Sequence, residues 1–125
     1  MLEVKPIQSK EDQRAFCEAC GGVYNADLLA YSLFDGDRLI GVCQFKMTPE
    51  GGSIRSLDLL EEKFDLVYML GAGTLNFIEL CGAKYAYLDF NISDSKAKII
   101  GFERDENKRW KIDLVKFFSS PCKCH

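Results

Sequence analysis

Two periodicities divide the chain into short elements. Alternation of apolar and polar residues predicts strands, and apolar residues recurring every three or four positions predict helices. The predicted strands cover residues 2–7, 29–34, 38–45, 53–60, 85–90, 99–103 and 110–115. The first predicted helix covers residues 10–20, where Ser9 precedes an acidic first turn and Gly21 follows the last turn. The second covers residues 64–81.

The turns between these elements indicate how the strands pair. Asp35-Gly36 separates two alternating runs, which is a strong signal for an antiparallel hairpin. Residues 49–52, Pro-Glu-Gly-Gly, form a second turn signal, and residues 25–29 allow one short helical turn. The order strand, helix, three strands, helix and three strands predicts an α+β domain. Its central mixed, mostly antiparallel sheet of six or seven strands is flanked by helices.

The segment Gly71-Ala72-Gly73 has two interpretations. Two glycines after an apolar run, with Asp89 further on, are typical of the phosphate-binding turn of a dinucleotide-binding unit. However, Asn76 stands where that fingerprint needs a third small residue, and the helix that would follow is only about eight residues long, short for a parallel crossover. The alternative interpretation, which we favour, places both glycines inside a helix where another element packs closely.

Composition and charge narrow the class of protein. The chain has 125 residues, of which 47% are hydrophobic and 28% charged, so residues 1–125 are expected to form a single folded domain. The formal net charge of −3 is spread along the chain and argues against nucleic-acid binding. Apolar runs stay below the roughly 20 residues that span a bilayer, and residues 1–6 lack the apolar core of a signal peptide. We therefore expect a cytoplasmic protein without a membrane partner.

Six cysteines raise the question of a metal site. Cys17 and Cys20 lie in the first predicted helix, and Cys122, Cys124 and His125 end the chain, which together supply enough ligands for zinc. The first pair lies within a helix rather than in the turn that a zinc knuckle uses. We therefore expect reduced thiols and no structural metal.

Four segments, in this order, resemble the GCN5-related N-acetyltransferase (GNAT) family, and the resemblance covers nearly the whole chain. They are LEVKPIQSKEDQRAF from residue 2, DRLIGVCQF from residue 37, LNFIELCGAKYAYLDFN from residue 75, and KIIGFERDENKRWKIDL from residue 98. The first is similar to the opening strand and helix of that family, and the second to its central hairpin. The third is similar to the end of its central helix and the strand that follows, and the fourth to its last strand pair.

The resemblance implies a GNAT-like acyl-CoA N-acyltransferase fold and a function. Members transfer an acetyl group from acetyl-CoA to an amine, here a small-molecule or protein acceptor. Asp58 lies where some members keep a general base, so the resemblance makes it the candidate catalytic residue. Leu57, Asp58 and Leu59, with their backbone, and Asn91 are the corresponding candidates for contact with the cofactor. A homodimer is also compatible with the sequence, which does not reveal the oligomeric state.

Two features of the sequence depart from the pattern of the family. The family binds the CoA pyrophosphate on a glycine-rich loop before the central helix. Here that place carries Glu61, Glu62 and Asp65 and no glycine. Ala97 stands where members often have a tyrosine that protonates the leaving thiolate, and residues 93–98 are short for the usual fourth helix. We therefore expect weak or no acetyl-CoA binding, and the alternative function is a catalytically degenerate module that binds a small ligand or a protein.

Overall fold

The computed structural model describes residues 1–119, which form seven strands and four helices. The strands are β1 Leu2–Pro6, β2 Leu29–Asp35, β3 Arg38–Thr48, β4 Gly51–Leu59, β5 Tyr85–Leu88, β6 Glu103–Arg104 and β7 Trp110–Asp113. The helices are α1 Lys10–Ala19, α2 Phe64–Leu80, α3 Asp94–Ile100 and α4 Leu114–Ser119.

All seven strands belong to one sheet in the order β1-β2-β3-β4-β5-β7-β6. Every neighbouring pair is antiparallel except β4 and β5, which are parallel. Asp35 and Gly36 lie at the tip of the β2–β3 hairpin, and Gly36 has a φ of 61°, a conformation that glycine adopts without strain. The predicted mixed, mostly antiparallel sheet with flanking helices is confirmed.

Helices cover both faces of the sheet. The main core lies on the face covered by α2 and α3, where Leu70, Leu75, Ile78 and Ile100 are buried against strand residues. On the opposite face α1 packs through Cys17 in a smaller cluster with β2 and β3. No helix within residues 1–119 is long and apolar enough to cross a membrane.

Both glycines of the ambiguous segment lie inside α2, as favoured from the sequence. A Cβ on Gly73 would lie 2.6 Å from Cγ1 of Val4 in β1, and a Cβ on Gly71 would lie 3.0 Å from the side chain of Ile100 in α3. The glycines therefore let two other elements approach the helix backbone. The dinucleotide interpretation is wrong, because it requires these residues in a loop between a strand and a helix.

The prediction was wrong near the C-terminus. Residues 99 and 100 end α3 rather than begin a strand, because the Ser93 hydroxyl caps that helix by accepting the Lys96 N–H at 3.3 Å and Gly101, with a φ of 122°, ends it. Residues 93–98 therefore do contribute a helix. The last predicted strand is also too long, since the Asp113 carboxylate accepts the N–H of Lys116 at 3.2 Å and α4 follows.

Candidate functional site

The parallel strands β4 and β5 diverge and leave an opening, which we call the fork. Their pairing covers only Gly52–Ile54 and Ala86–Leu88, and the Asp89 N–H donates the last bond, to the Ile54 carbonyl, at 2.9 Å. Beyond this point β4 continues to Leu59, whereas the segment after β5 turns away toward α3. Residues 55–59 of β4 therefore have no strand partner on the β5 side.

The closed end of the fork is held by an arginine that sequence analysis missed. Arg109 donates two hydrogen bonds of 2.9 Å to the Asp89 carboxylate and a third, of 3.1 Å, to Glu50. Its guanidinium lies 3.8 Å from the ring centroid of Tyr87, and the Ser53 hydroxyl also donates to Asp89. These bonds hold the pKa of Asp89 below its usual value. No local sequence signal connects residues 89 and 109, because the sheet alone brings them together.

The predicted cofactor contacts lie on both sides of the fork. The side chains of Leu57 and Leu59 are buried in the main core, so only their backbone can face a ligand. Asn91 is exposed in the segment between β5 and α3, on the other side of the opening. Leu57, Asp58 and Leu59 thus lie on the strand at one side of the fork and Asn91 in the segment that follows the other strand, and their contact with a cofactor stays a prediction.

Asp58 points to the face of the sheet that carries α1. It pairs across the strands with Val42, a member of the α1-side cluster, and its carboxylate lies against Gly22. A Cβ at Gly22 would come within 2.2 Å of an Asp58 carboxylate oxygen, so only glycine allows this contact. Burial raises the pKa of Asp58, the charge of Glu62 raises it further, and Lys96 acts in the opposite direction. A carboxylate with a raised pKa is a better proton acceptor near neutral pH.

A buried pair of glutamines fixes the loop that covers Asp58. This loop, residues 20–28, joins α1 to β2. Gln13 of α1 donates to the Gln44 side-chain oxygen at 2.9 Å and to the Leu28 carbonyl at 3.2 Å. Gln44 of β3 accepts the Asn25 N–H at 3.1 Å and donates to the Val23 carbonyl at 2.9 Å. Both glutamines are only 1% exposed, so the loop is held by fully paired buried amides.

The acids around the start of α2 are partly engaged by other groups of the protein. Glu61 lies 2.9 Å from the Arg38 guanidinium and 3.6 Å from the Lys63 ammonium, so its charge is largely balanced. The Asp65 carboxylate accepts the N–H of Leu66 at 3.0 Å. One of the free N–H groups at the start of α2 is therefore already occupied, although Lys63, at the N-cap, makes no side-chain cap.

Ala97 is fully buried in α3 and belongs to the main core. Its side chain carries no proton donor, and the position faces the interior. The tyrosine role that the resemblance would assign to this position has no substitute at the same place.

The cysteines that the structure describes do not form a metal centre. Within residues 1–119 no group of three or more His, Cys, Asp and Glu side chains is arranged to hold a metal ion. Burial and the nearby Asp58 carboxylate raise the pKa of Cys17 and of Cys20 to about 11, so both thiols stay protonated at neutral pH. Cys122, Cys124 and His125 lie outside the described residues, and the expected absence of a structural zinc stays a prediction.

The fold is that of known acetyltransferases. No protein-family model matches the sequence, and no curated protein matches it in sequence. A Bacillus subtilis acetyltransferase solved in complex with CoA superposes with a TM-score of 0.68 at 16% identity, covering 90% of this chain and 99% of that one. The PaiA N-acetyltransferase of Thermoplasma acidophilum, also in complex with CoA, gives a TM-score of 0.63 at 15% identity with 90% and 99% coverage. A GNAT-family acetyltransferase from Streptococcus pneumoniae gives 0.61 at 18% identity with 82% and 88% coverage. The chain therefore has the GNAT fold.

Proposed function

We propose that the chain is an N-acyltransferase that moves an acetyl group from acetyl-CoA to an amine, with Asp58 as the general base. The observation that carries this proposal is a carboxylate of raised pKa beside an open fork between two parallel strands. The likeness to acetyltransferases solved with CoA supports it at the level of the fold.

The fork suits the pantetheine arm of the cofactor. Residues 55–59 offer backbone N–H and C=O groups without a strand partner on that side, so an amide-containing chain can pair with them as a strand would. Bound CoA would supply the activated acyl thioester. The fit is poorer at the pyrophosphate end, where glycine is absent and Asp65 already accepts the Leu66 N–H. We therefore expect acetyl-CoA to bind, but weakly.

In this proposal the amine nitrogen would attack the acyl carbon, and Asp58 would accept the proton that the amine releases. The carbon–sulfur bond of the thioester would break, and CoA would leave as its thiolate, which water can protonate. The raised pKa of Asp58 suits its role, and Gly22 leaves room for the carboxylate next to the loop 20–28. Because the geometry of this loop is fixed, the protein can orient the amine at a small entropic cost. Such orientation contributes a large share of the rate enhancement in direct transfers. We propose a small-molecule or protein amine as the acceptor.

The test is acetyl transfer to a panel of amines, followed by mass spectrometry of the products. We expect Asp58→Asn to lower kcat by about 10²-fold or more while KM for acetyl-CoA changes little. Asp37→Asn, in the β2–β3 hairpin, is the matched control and should leave the rate unchanged. Full activity of Asp58→Asn would remove the proposed base.

The same variant has a stability signature that separates a functional carboxylate from a structural one. Because folding raises the pKa of Asp58, the ionised carboxylate opposes folding once the pH exceeds the usual value for aspartate. Asp58→Asn should therefore melt at a higher temperature than the wild type at pH 7. The gain should disappear at pH values below the usual aspartate pKa, where the carboxyl is protonated in both states.

A second function, a binding module without catalysis, is favoured by the buried Ala97 and by Asp65 at the start of α2. A thermal melt distinguishes the two, since a ligand that binds the native state selectively raises the melting temperature. A shift with millimolar acetyl-CoA supports the transferase. No shift and no acetylated amine at that concentration would favour the module.

A further inference from the structure

An ion pair crosses the open end of the fork. Glu62 lies between β4 and α2. Lys96 lies in the first turn of α3, the helix that follows β5. The Lys96 ammonium is 2.8 Å from the Glu62 carboxylate. Since the two residues belong to the segments that follow the two diverging strands, their contact bridges the gap that the strands leave.

Lys96 differs from the other cations near this opening. Arg38 and Lys63 both pair with Glu61, and 59% and 67% of their side chains are exposed. The side chain of Lys96 is only 31% exposed, and its charge acts on Asp58. Arg55, on β4 itself, is exposed and donates to the Ser53 hydroxyl at 2.8 Å. Lys96 is therefore a partly buried positive charge whose field reaches the proposed base.

We propose that the Glu62–Lys96 ion pair is a latch over the fork, which opens when a phosphate-bearing acyl donor enters and leaves Lys96 paired with a phosphate of that donor. This inference rests on the proposed function and names a specificity-determining residue for it. The donor class is a thioester of a phosphorylated pantetheine, as opposed to a neutral pantetheine thioester.

The exchange of partners is physically accessible. Exposed ion pairs contribute little to stability, and 53% of the Glu62 side chain is exposed, so breaking the latch is cheap. A phosphate carries more negative charge than a carboxylate and forms charge-assisted hydrogen bonds with an ammonium group. Glu62, once released, moves into water, where its charge is solvated.

Calorimetry with two ligands tests the latch. CoA carries phosphates and pantetheine carries none, so only CoA can gain from Lys96. We expect Lys96→Met to weaken CoA binding about tenfold, since a hydrogen bond to a charged group is lost. Glu62→Gln should strengthen CoA binding about two- to fivefold by freeing Lys96 and removing a like charge. Binding of pantetheine should change by less than about twofold in either variant, because the exposed ion pair that it would displace costs little to break.

Lys63→Met is the matched control, because it removes a cation of the same loop that pairs with Glu61 instead. Its effect on CoA binding should be smaller than that of Lys96→Met. All three side chains are partly exposed, and a melt of each variant confirms that it folds.

The outcomes separate this inference from the proposed function. If CoA binds and neither Lys96→Met nor Glu62→Gln changes its affinity, the latch is wrong and the transferase stands. Equal losses for CoA and pantetheine would also contradict the latch, since they would report a general disturbance of the fork. If the wild type and Glu62→Gln bind neither ligand, both the transferase and the latch are wrong.

Discussion

Replacing Gln44 with leucine tests how the loop over Asp58 is held. In the native protein the Gln44 amide makes four hydrogen bonds, to Gln13, the Asn25 N–H, the Val23 carbonyl and the Ser56 hydroxyl, with lengths from 2.9 to 3.1 Å. Leucine has a similar size and makes none of them. The side chain is 1% exposed. The cost of each lost bond therefore depends on whether water can reach the partner that remains.

The loss of stability depends on which partners of Gln44 can form other hydrogen bonds. Gln13 keeps its bonds to the carbonyls of Leu28 and Asn25, and the Ser56 hydroxyl can rotate to another partner. The Val23 carbonyl and the Asn25 N–H, both partly buried in their bonds to Gln44, are the groups left without that partner. An orphaned buried group costs about 1–3 kcal/mol, and the apolar leucine offsets part of this. We expect a loss of about 2 kcal/mol in the free energy of unfolding. At this chain length each kcal/mol lowers the melting temperature by roughly 3–5 °C.

Urea unfolding measures the total loss, and hydrogen exchange at the Asn25 amide measures its location. Ser32→Ala is a suitable control, because Ser32 is similarly buried but its hydroxyl donates only one bond, of 3.1 Å, to the Lys5 carbonyl in β1 and none to this loop. That variant should leave the exchange of Asn25 unchanged. The reasoning is refuted if Gln44→Leu loses less than about 0.5 kcal/mol and Asn25 exchanges at the native rate.

Two further substitutions probe the packing of α2 and the closed end of the fork. Gly73→Ala should destabilise by about 1–3 kcal/mol in a melt, because its Cβ would lie 2.6 Å from Val4, and Val4→Ala in the same chain should restore most of the loss. Arg109→Met should cost about 1–3 kcal/mol at pH 7 by removing the charged bonds to Asp89. Folding lowers the pKa of Asp89, so this difference should shrink as the pH falls below the usual aspartate value, and a constant difference would contradict it.

Much of the fold was accessible from the sequence because its signals are local. The Asp35-Gly36 turn and the alternating strands around it predicted the central hairpin, and Ser9 predicted the start of α1. The error at residues 99–103 arose from a short apolar run that fits a strand and a buried helix equally well. The deciding cap, Ser93, lies six residues upstream of that run.

The site was less accessible, because its residues meet only through the sheet. Asp58 could be named from its place in the chain, but neither its contact with Gly22 nor its raised pKa has a local signature. The acids before α2 were visible, whereas their ion pairs with Arg38 and Lys96 depend on the packing of β3 and α3. Sequence patterns thus locate chemical groups, and the tertiary fold decides how their charges are balanced.

The single parallel pairing in the sheet also bears on how the protein folds. Strands β1–β4 are joined by hairpins or by one short helix, and β5–β7 form a second antiparallel unit. The two units meet along only three residue pairs, Gly52–Ile54 with Ala86–Leu88. Parallel pairing requires the ends of a long crossover to come together, so this seam is expected to form late in folding and to open early in local fluctuations. The fork would then be completed only when the two units dock.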